Sequence, residues 1–145
     1  MRAWTWAAAL GLALAPLLLV RPVLVRGRSM APNLPAGAYL IGLRAWVAGD
    51  PGRGEVWLVR TAEGDLVKRV VGLPGETLAQ REGALWREGR RMSEPYVHVL
   101  DEGNGGPWAC GQGYFVAGDN RRESRDSRVF GPLPRSAFVA RLWGP

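Results

Sequence analysis

Asp65-Leu66-Val67-Lys68-Arg69-Val70-Val71-Gly72-Leu73-Pro74-Gly75-Glu76 is the stretch from which the rest of the chain is read. Its first half alternates as a strand does, so Leu66, Lys68 and Val70 point to one face. Leu73-Pro74-Gly75 then breaks the strand. Lys68 is the only lysine among nineteen basic residues; every other one is arginine. Arginine keeps its proton in a protein, whereas a lysine taken out of water can lose it and become a general base. An ammonium set between two apolar neighbours is in such a position.

Upstream, residues 55–61 read as a second strand, and Ala62-Glu63-Gly64 turns it into the Lys68 strand as a hairpin. Runs at 38–43, 83–89, 114–117 and 137–142 read as further short strands between turn signals. Residues 101–113 are glycine-rich and read as loop. With 20 Gly and 11 Pro in 145 residues, and no internal repeat, the body is expected to be one all-β domain. The single Cys110 excludes an intramolecular disulfide and a cysteine-based zinc site, and a lone His98 speaks against a histidine site. No metal and no cofactor are expected. The net charge of +6 comes from scattered arginines with no accompanying nucleic-acid motif, so nucleic acid is not expected as a partner.

Residues 3–20 carry no charge and are bracketed by Arg2 and Arg21. As a helix they would span about 27 Å, close to the apolar thickness of a bilayer. Trp4 and Trp6 sit where interfacial aromatics belong. A cleavable leader is the competing reading, with Ala13-Leu14-Ala15 as its small-residue site, but that site lies inside the apolar run and Pro16 would follow the cut. The expectation is an uncleaved membrane anchor over residues 1–22 and a β-rich domain over 23–145, with a short hairpin excursion at about 77–112. Arg21, Arg26 and Arg28 after the apolar run would, by the positive-inside tendency alone, keep the body in the cytoplasm.

A neutral lysine needs a nucleophile to deprotonate. Of the five serines, Ser29 stands out in Gly27-Arg28-Ser29-Met30-Ala31-Pro32, between the anchor and the first strand. No Ser-x-x-Lys pair exists, and no motif surrounds His98 to make a Ser-His-Asp triad. Ser29 with Lys68, joined by the fold, is the arrangement left.

These stretches resemble bacterial type I signal peptidases of the serine–lysine dyad kind. The family's Ser-Met-x-Pro-Thr-Leu is met by Ser29-Met30-Ala31-Pro32-Asn33-Leu34, and its Lys-Arg-Val-x-Gly-Leu-Pro-Gly-Asp by Lys68 through Glu76. Its Gly-Asp-Asn box followed by Ser-x-Asp-Ser-Arg is met by Gly118-Asp119-Asn120 and Ser124-Arg125-Asp126-Ser127-Arg128. Gly54-Glu55-Val56-Trp57-Leu58 echoes a further family strand. The resemblance implies a coiled antiparallel β-sheet catalytic domain behind one transmembrane helix. It implies Ser29 as nucleophile and Lys68 as general base, with Ser124 orienting the amine. Asp126, Arg128, Gly118 and Asp119 would support the site, and Asn120 would hold the loop. A peptide substrate would lie extended and pair with strand edges, its expected walls being the Lys68 strand and the segment around Pro32 to Leu40, with Met30, Pro32, Leu34, Val67 and Arg69 as the contacting residues.

The implied activity is removal of signal peptides from secreted preproteins after small-x-small, typically Ala-x-Ala. The enzyme would be a monomer in the plasma membrane with its catalytic domain on the extracytoplasmic side, opposite to the flanking charges. Three departures stand out. Asn33 replaces the family's Thr, Glu76 its Asp, and Gly27 stands where some members have a serine that donates to the oxyanion. The alternatives are a maturation peptidase of the same clan, of conjugation type, and an inactive membrane-tethered peptide-binding scaffold.

Overall fold

A computed structural model describes residues 15–143, and it is built almost entirely of antiparallel strands. In chain order these are β1 (Val20–Leu24), β2 (Tyr39–Arg44), a single turn of helix α1 (Ala45–Ala48), β3 (Val56–Thr61) and β4 (Gly64–Gly72). Then follow β5 (Thr77–Arg81), β6 (Ala84–Arg87), β7 (Arg90–Arg91), β8 (Gly105–Ala109), β9 (Phe115–Ala117), a second short helix α2 (Ser127–Phe130) and β10 (Phe138–Leu142). One six-stranded sheet runs β1-β2-β10-β3-β4-β9, and a separate four-stranded sheet runs β7-β6-β5-β8.

The hairpin expected around Ala62-Glu63-Gly64 is present, with Thr61 paired to Gly64 and Trp57 to Lys68. β4 lies between β3 and β9, and five consecutive residues, Lys68 to Gly72, are buried. Val70 packs with Trp57, Val59 and Phe138 on one side. Val71 packs with Leu78, Leu85 and Phe115 on the other. The Trp57 and Phe138 rings meet edge-on at 5.5 Å, and Tyr114 meets Phe138 at 5.1 Å. Burial on both faces explains why the run reads as nearly continuous apolar sequence, and why one charged group inside it is out of water.

Three expectations change. The excursion is larger than a hairpin: β5 to β8 make a second sheet whose inner residues Leu78 and Leu85 are fully buried. Its strand β8 falls in the stretch read as loop, because glycine and proline hide a strand whose order comes from pairing with β5. The third concerns the anchor. Residues 1–14 lie outside the described residues, so most of it is untouched. Its end is not helical: Ala15–Leu18 is a 3-10 turn and Val20–Leu24 is β1, paired from Val20↔Leu43 to Leu24↔Tyr39. The boundary at residue 22 therefore falls inside a strand. Pro22 cannot continue a helix but is tolerated on an edge strand, which β1 is. Among the described residues no helix is long and apolar enough to cross a membrane.

Candidate active site

Ser29 sits in the turn that joins β1 to β2. The turn is closed by Ala31 N–H to Arg28 C=O at 3.1 Å and Leu34 N–H to Met30 C=O at 2.9 Å. Met30 and Leu34 sink into the core beside Val23, Val25 and Leu58. That pins the turn from below and leaves Ser29 half-buried at its top. From the side, Asn120 N–H donates to the Ser29 carbonyl at 2.9 Å. Gly118 allows this approach: a Cβ there would stand 2.5 Å from the Ser29 carbonyl oxygen.

Lys68 reaches the same point from β4. Its Nζ donates to Ser29 Oγ at 2.7 Å, across 39 residues of sequence. The side chain is only 2% exposed. Burial lowers its pKa from 10.5 to about 8; Asp126 opposes that shift, Arg128 reinforces it and Asp119 opposes it. A lysine near 8 is partly neutral at ordinary pH, and a neutral amine within hydrogen-bond reach of a hydroxyl can take its proton.

Asp126 is fully buried behind this pair. Burial pushes its carboxyl up, but the Arg128 guanidinium, the Ser124 hydroxyl and the Gly118 N–H together hold it below the usual carboxylate range. Arg128 Nε donates to Asp126 Oδ1 at 2.9 Å and its Nη2 to the Arg121 carbonyl at 2.7 Å. Ser124 is in place but with a different partner from the one expected. Its hydroxyl donates to Asp126 Oδ2 at 2.6 Å and accepts from Gly118 N–H at 3.1 Å, and among the described residues Lys68 bonds only to Ser29. The hydroxyl proton goes to the carboxylate, and the Lys68 amine makes no bond to this oxygen. Ser124 thus braces the loop that carries Gly118 and Asp126. Ser127, from the same box, is a buried support: its Oγ accepts from Val116 N–H at 2.9 Å.

A second network lies on the far side of the turn. Arg69 and Asp119 form a buried two-pronged ion pair, Nε to Oδ1 at 2.8 Å and Nη2 to Oδ2 at 2.7 Å. The Arg69 guanidinium also stacks 4.3 Å over the Tyr96 ring. Asn33 Nδ2 donates to Asp119 Oδ2 at 2.8 Å and to the Tyr96 carbonyl at 2.7 Å. Next to it, buried Arg121 is paired with Glu94 through both nitrogens, at 2.6 and 3.1 Å, and donates to the Gly118 carbonyl at 3.0 Å. Arg121 N–H reaches the Val99 carbonyl at 2.9 Å. Residues 94–99 are therefore strapped along the loop that holds Ser29.

Of the residues expected to line a cleft, Pro32 is exposed and Val67 half-buried, so both leave surface open to solvent. Met30 and Leu34 do not: they are core residues at 1% and 2% exposure. Arg69 does not either, because its guanidinium is committed to Asp119 and to the Gly54 carbonyl. Asn33, Glu94, Tyr96 and Arg121 are site-building residues that carried no assigned role. The glutamate, tyrosine and arginine gave no local signal, since each partner is distant in sequence. His98 is exposed and Cys110 is buried against Phe115, away from this constellation. Among the described residues no group of three or more His, Cys, Asp and Glu side chains could hold a metal.

Beside Ser29 a strand edge is open. β9 pairs with β4 only from Arg69 onward, so residues 64–68 are paired on the β3 side alone. An extended peptide could add there as a further strand.

The family model described as signal peptidase, peptidase S26, matches residues 1–143. A signal peptidase I of Bacillus amyloliquefaciens is 35% identical over 144 residues, covering 86% of this chain and 75% of that one. Signal peptidase I T of Bacillus subtilis is 34% identical over 142 residues, covering 85% and 74%. Among solved structures, a signal peptidase I from Enterococcus faecalis superposes with a TM-score of 0.54 at 28% identity, over 66% of this chain and 98% of that one.

Proposed function

The chain belongs to the signal peptidase family, peptidase S26, and from that premise we propose that it removes signal peptides from secreted preproteins with Ser29 as nucleophile and Lys68 as general base. The observation that carries this reading is the 2.7 Å approach of Lys68 Nζ to Ser29 Oγ, made by a lysine whose pKa is lowered to about 8.

The preprotein adds as a strand along residues 65–68 of β4, between Val67 and Pro32. Neutral Lys68 accepts the Ser29 proton as Oγ attacks the scissile carbonyl. The Ser29 N–H stabilises the oxyanion, helped by a neighbouring backbone N–H in place of a side-chain hydroxyl. Two features support that choice. Gly27 stands at φ +74°, where a serine would be strained, and the N–H groups of residues 27–29 meet no backbone carbonyl among the described residues. The Lys68 ammonium then returns its proton to the leaving amine, which frees the mature protein and leaves an ester on Ser29. Water, deprotonated by Lys68, hydrolyses the ester and releases the signal peptide. A cut after small-x-small fits a shallow site that admits short side chains and rejects longer ones.

The bilayer is the proposed second partner, with residues 1–14 contributing to the anchor and the catalytic domain outside the cell as a monomer. An exposed apolar face supports it. Leu17, Leu18, Tyr39, Ile41, Trp46 and Trp143 are each 58% exposed or more. Ile41 and Tyr39 lie across from Pro22 and Leu24 in the β1–β2 ladder, which makes part of that face continuous.

The test is cleavage of a preprotein by the full chain in detergent, beside Ser29→Ala and Lys68→Arg, with the cut located by mass spectrometry. Cleavage after Ala-x-Ala by the wild type and none by either variant is expected. Cleavage by all three alike overturns the dyad. A wild type that holds the peptide without cutting it favours a binding scaffold.

A further inference from the structure

We infer that Asn33, the departure from the family's Thr, is a positioning residue that fixes the nucleophile turn by serving two acceptors at once. The inference rests on the peptidase reading above and concerns how this chain in particular holds Ser29 in line with Lys68.

Asn33 is four residues after Ser29, at the end of the same turn. Its Nδ2 donates to Asp119 Oδ2 at 2.8 Å and to the Tyr96 carbonyl at 2.7 Å. Both partners are acceptors without a proton to give, so the amide nitrogen, and only it, can face them. One carboxamide therefore ties three segments together: the nucleophile turn, the loop after β9, and the strap at 94–99. The loop closes the triangle, because Asn120 N–H holds the Ser29 carbonyl and Arg121 holds Val99 and Glu94. A threonine has one hydroxyl proton and can serve one of the two acceptors. Only the amide makes both ties at the point where the turn meets the strap.

The charged and titratable groups facing this amide are Asp119 from the loop, Arg69 from β4, and Glu94 and Tyr96 from the strap. Asp119 already gives both its oxygens to Arg69, so its Oδ2 is shared between the guanidinium and Asn33. A carboxylate at position 33 would face Asp119 and a carbonyl with nothing to donate. It could occupy the site only while protonated.

This gives a test that a general loss of packing would not reproduce. The wild type, Asn33→Thr, Asn33→Ala and Asn33→Asp are assayed on one preprotein peptide across about pH 6 to 10, with melting followed in parallel. Thr should lower kcat by roughly tenfold and Ala by on the order of 10², with KM within about twofold, as expected when a reacting group is displaced and substrate binding is untouched. Asn33→Asp should be slower than Asn33→Thr wherever the added carboxyl is ionised, because it then faces Asp119 and the Tyr96 carbonyl with nothing to donate. Rates matching the wild type in Thr and Ala, or an Asp variant as fast as the Thr variant at alkaline pH, overturn the inference while leaving the dyad standing. A wild type that cuts nothing overturns the peptidase reading and this inference with it.

Discussion

Replacing Lys68 by methionine should make the protein more stable near neutrality, and by an amount that depends on pH in a way no other residue can imitate. Lys68 is 2% exposed, and burial brings its pKa from 10.5 to about 8. Below about 8 the group is charged in the folded and the unfolded chain alike, so folding carries the full cost of taking an ammonium out of water. Above 10.5 it is neutral in both, and the cost is gone. Between these values the unfolded state binds more protons than the folded one, so stability rises with pH. The separation between 10.5 and about 8 corresponds to about 3 kcal/mol. A methionine of similar length pays none of it and gives up only the hydrogen bond to Ser29, worth about 1 kcal/mol. The variant should therefore lead the wild type by about 2 kcal/mol at pH 7 and trail it by about 1 kcal/mol near pH 11, a swing of about 3 kcal/mol. In melting temperature the swing is roughly 10 °C. The assay is urea or thermal unfolding of both full chains in detergent at several pH values. The comparison is clean because there is no other lysine, and every other residue is common to the two proteins. Parallel curves would refute the argument that Lys68 is held against its charge. The same displacement explains what the cost is for: at pH 7 a lysine at 10.5 is neutral in about 0.03% of molecules and one at about 8 in about 9%, roughly 300-fold more free base.

Two further outcomes are expected. Gly27→Ser, which restores the hydroxyl that some relatives carry, should lower kcat by roughly tenfold because the φ of +74° strains any side chain; a faster enzyme would show that a hydroxyl can enter the oxyanion site and that backbone donors do not suffice. Glu94→Gln leaves the Arg121 guanidinium, 2% exposed, without its carboxylate, and should cost about 3–5 kcal/mol in urea unfolding with loss of activity; a cost under about 1 kcal/mol would mean the strap is not held by this pair.

The Ser29–Lys68 contact was legible because its two members are marked locally: one lysine in an arginine-rich chain, and one serine in a Ser-Met-x-Pro setting. The hairpin that carries Lys68 was legible for the same reason, since its turn and its alternation are both local. What surrounds the dyad was not. Arg121 and Glu94 meet across 27 residues, and Asn33 and Asp119 across 86, so their roles exist only after the sheet has formed. Met30 and Leu34 looked like cleft walls because they flank the nucleophile, yet an apolar pair in a tight turn goes to the core. Residues 17–20 are apolar enough for a membrane helix and for the approach to an edge strand, and Pro16, Arg21 and Pro22 around them favour the strand. The apolar residues of β5 to β8 are interrupted by glycine and proline, and partner strands rather than propensity decide that they pair. Ser124 was expected to bond the amine; its hydroxyl instead bonds Asp126 and Gly118, because the loop from 118 to 126 folds back on itself and puts those groups within its reach.

The place of β10 in the sheet has a consequence for when this protease can exist during its own synthesis. β10 follows every other described strand in the chain, yet it lies between β2 and β3. Until residues 138–142 arrive, β1 and β2 share no ladder with β3, β4 and β9, and it is the first pair that leads into and out of the Ser29 turn while the second group carries Lys68. Ser29 and Lys68 thus stand on two ladders that share no backbone pairing until residues 138–142 are in place. That strand works as a keystone: a growing chain without it holds the two residues together only through the packing of Met30 and Leu34 on Leu58 and the loop ties at Asn33 and Asn120.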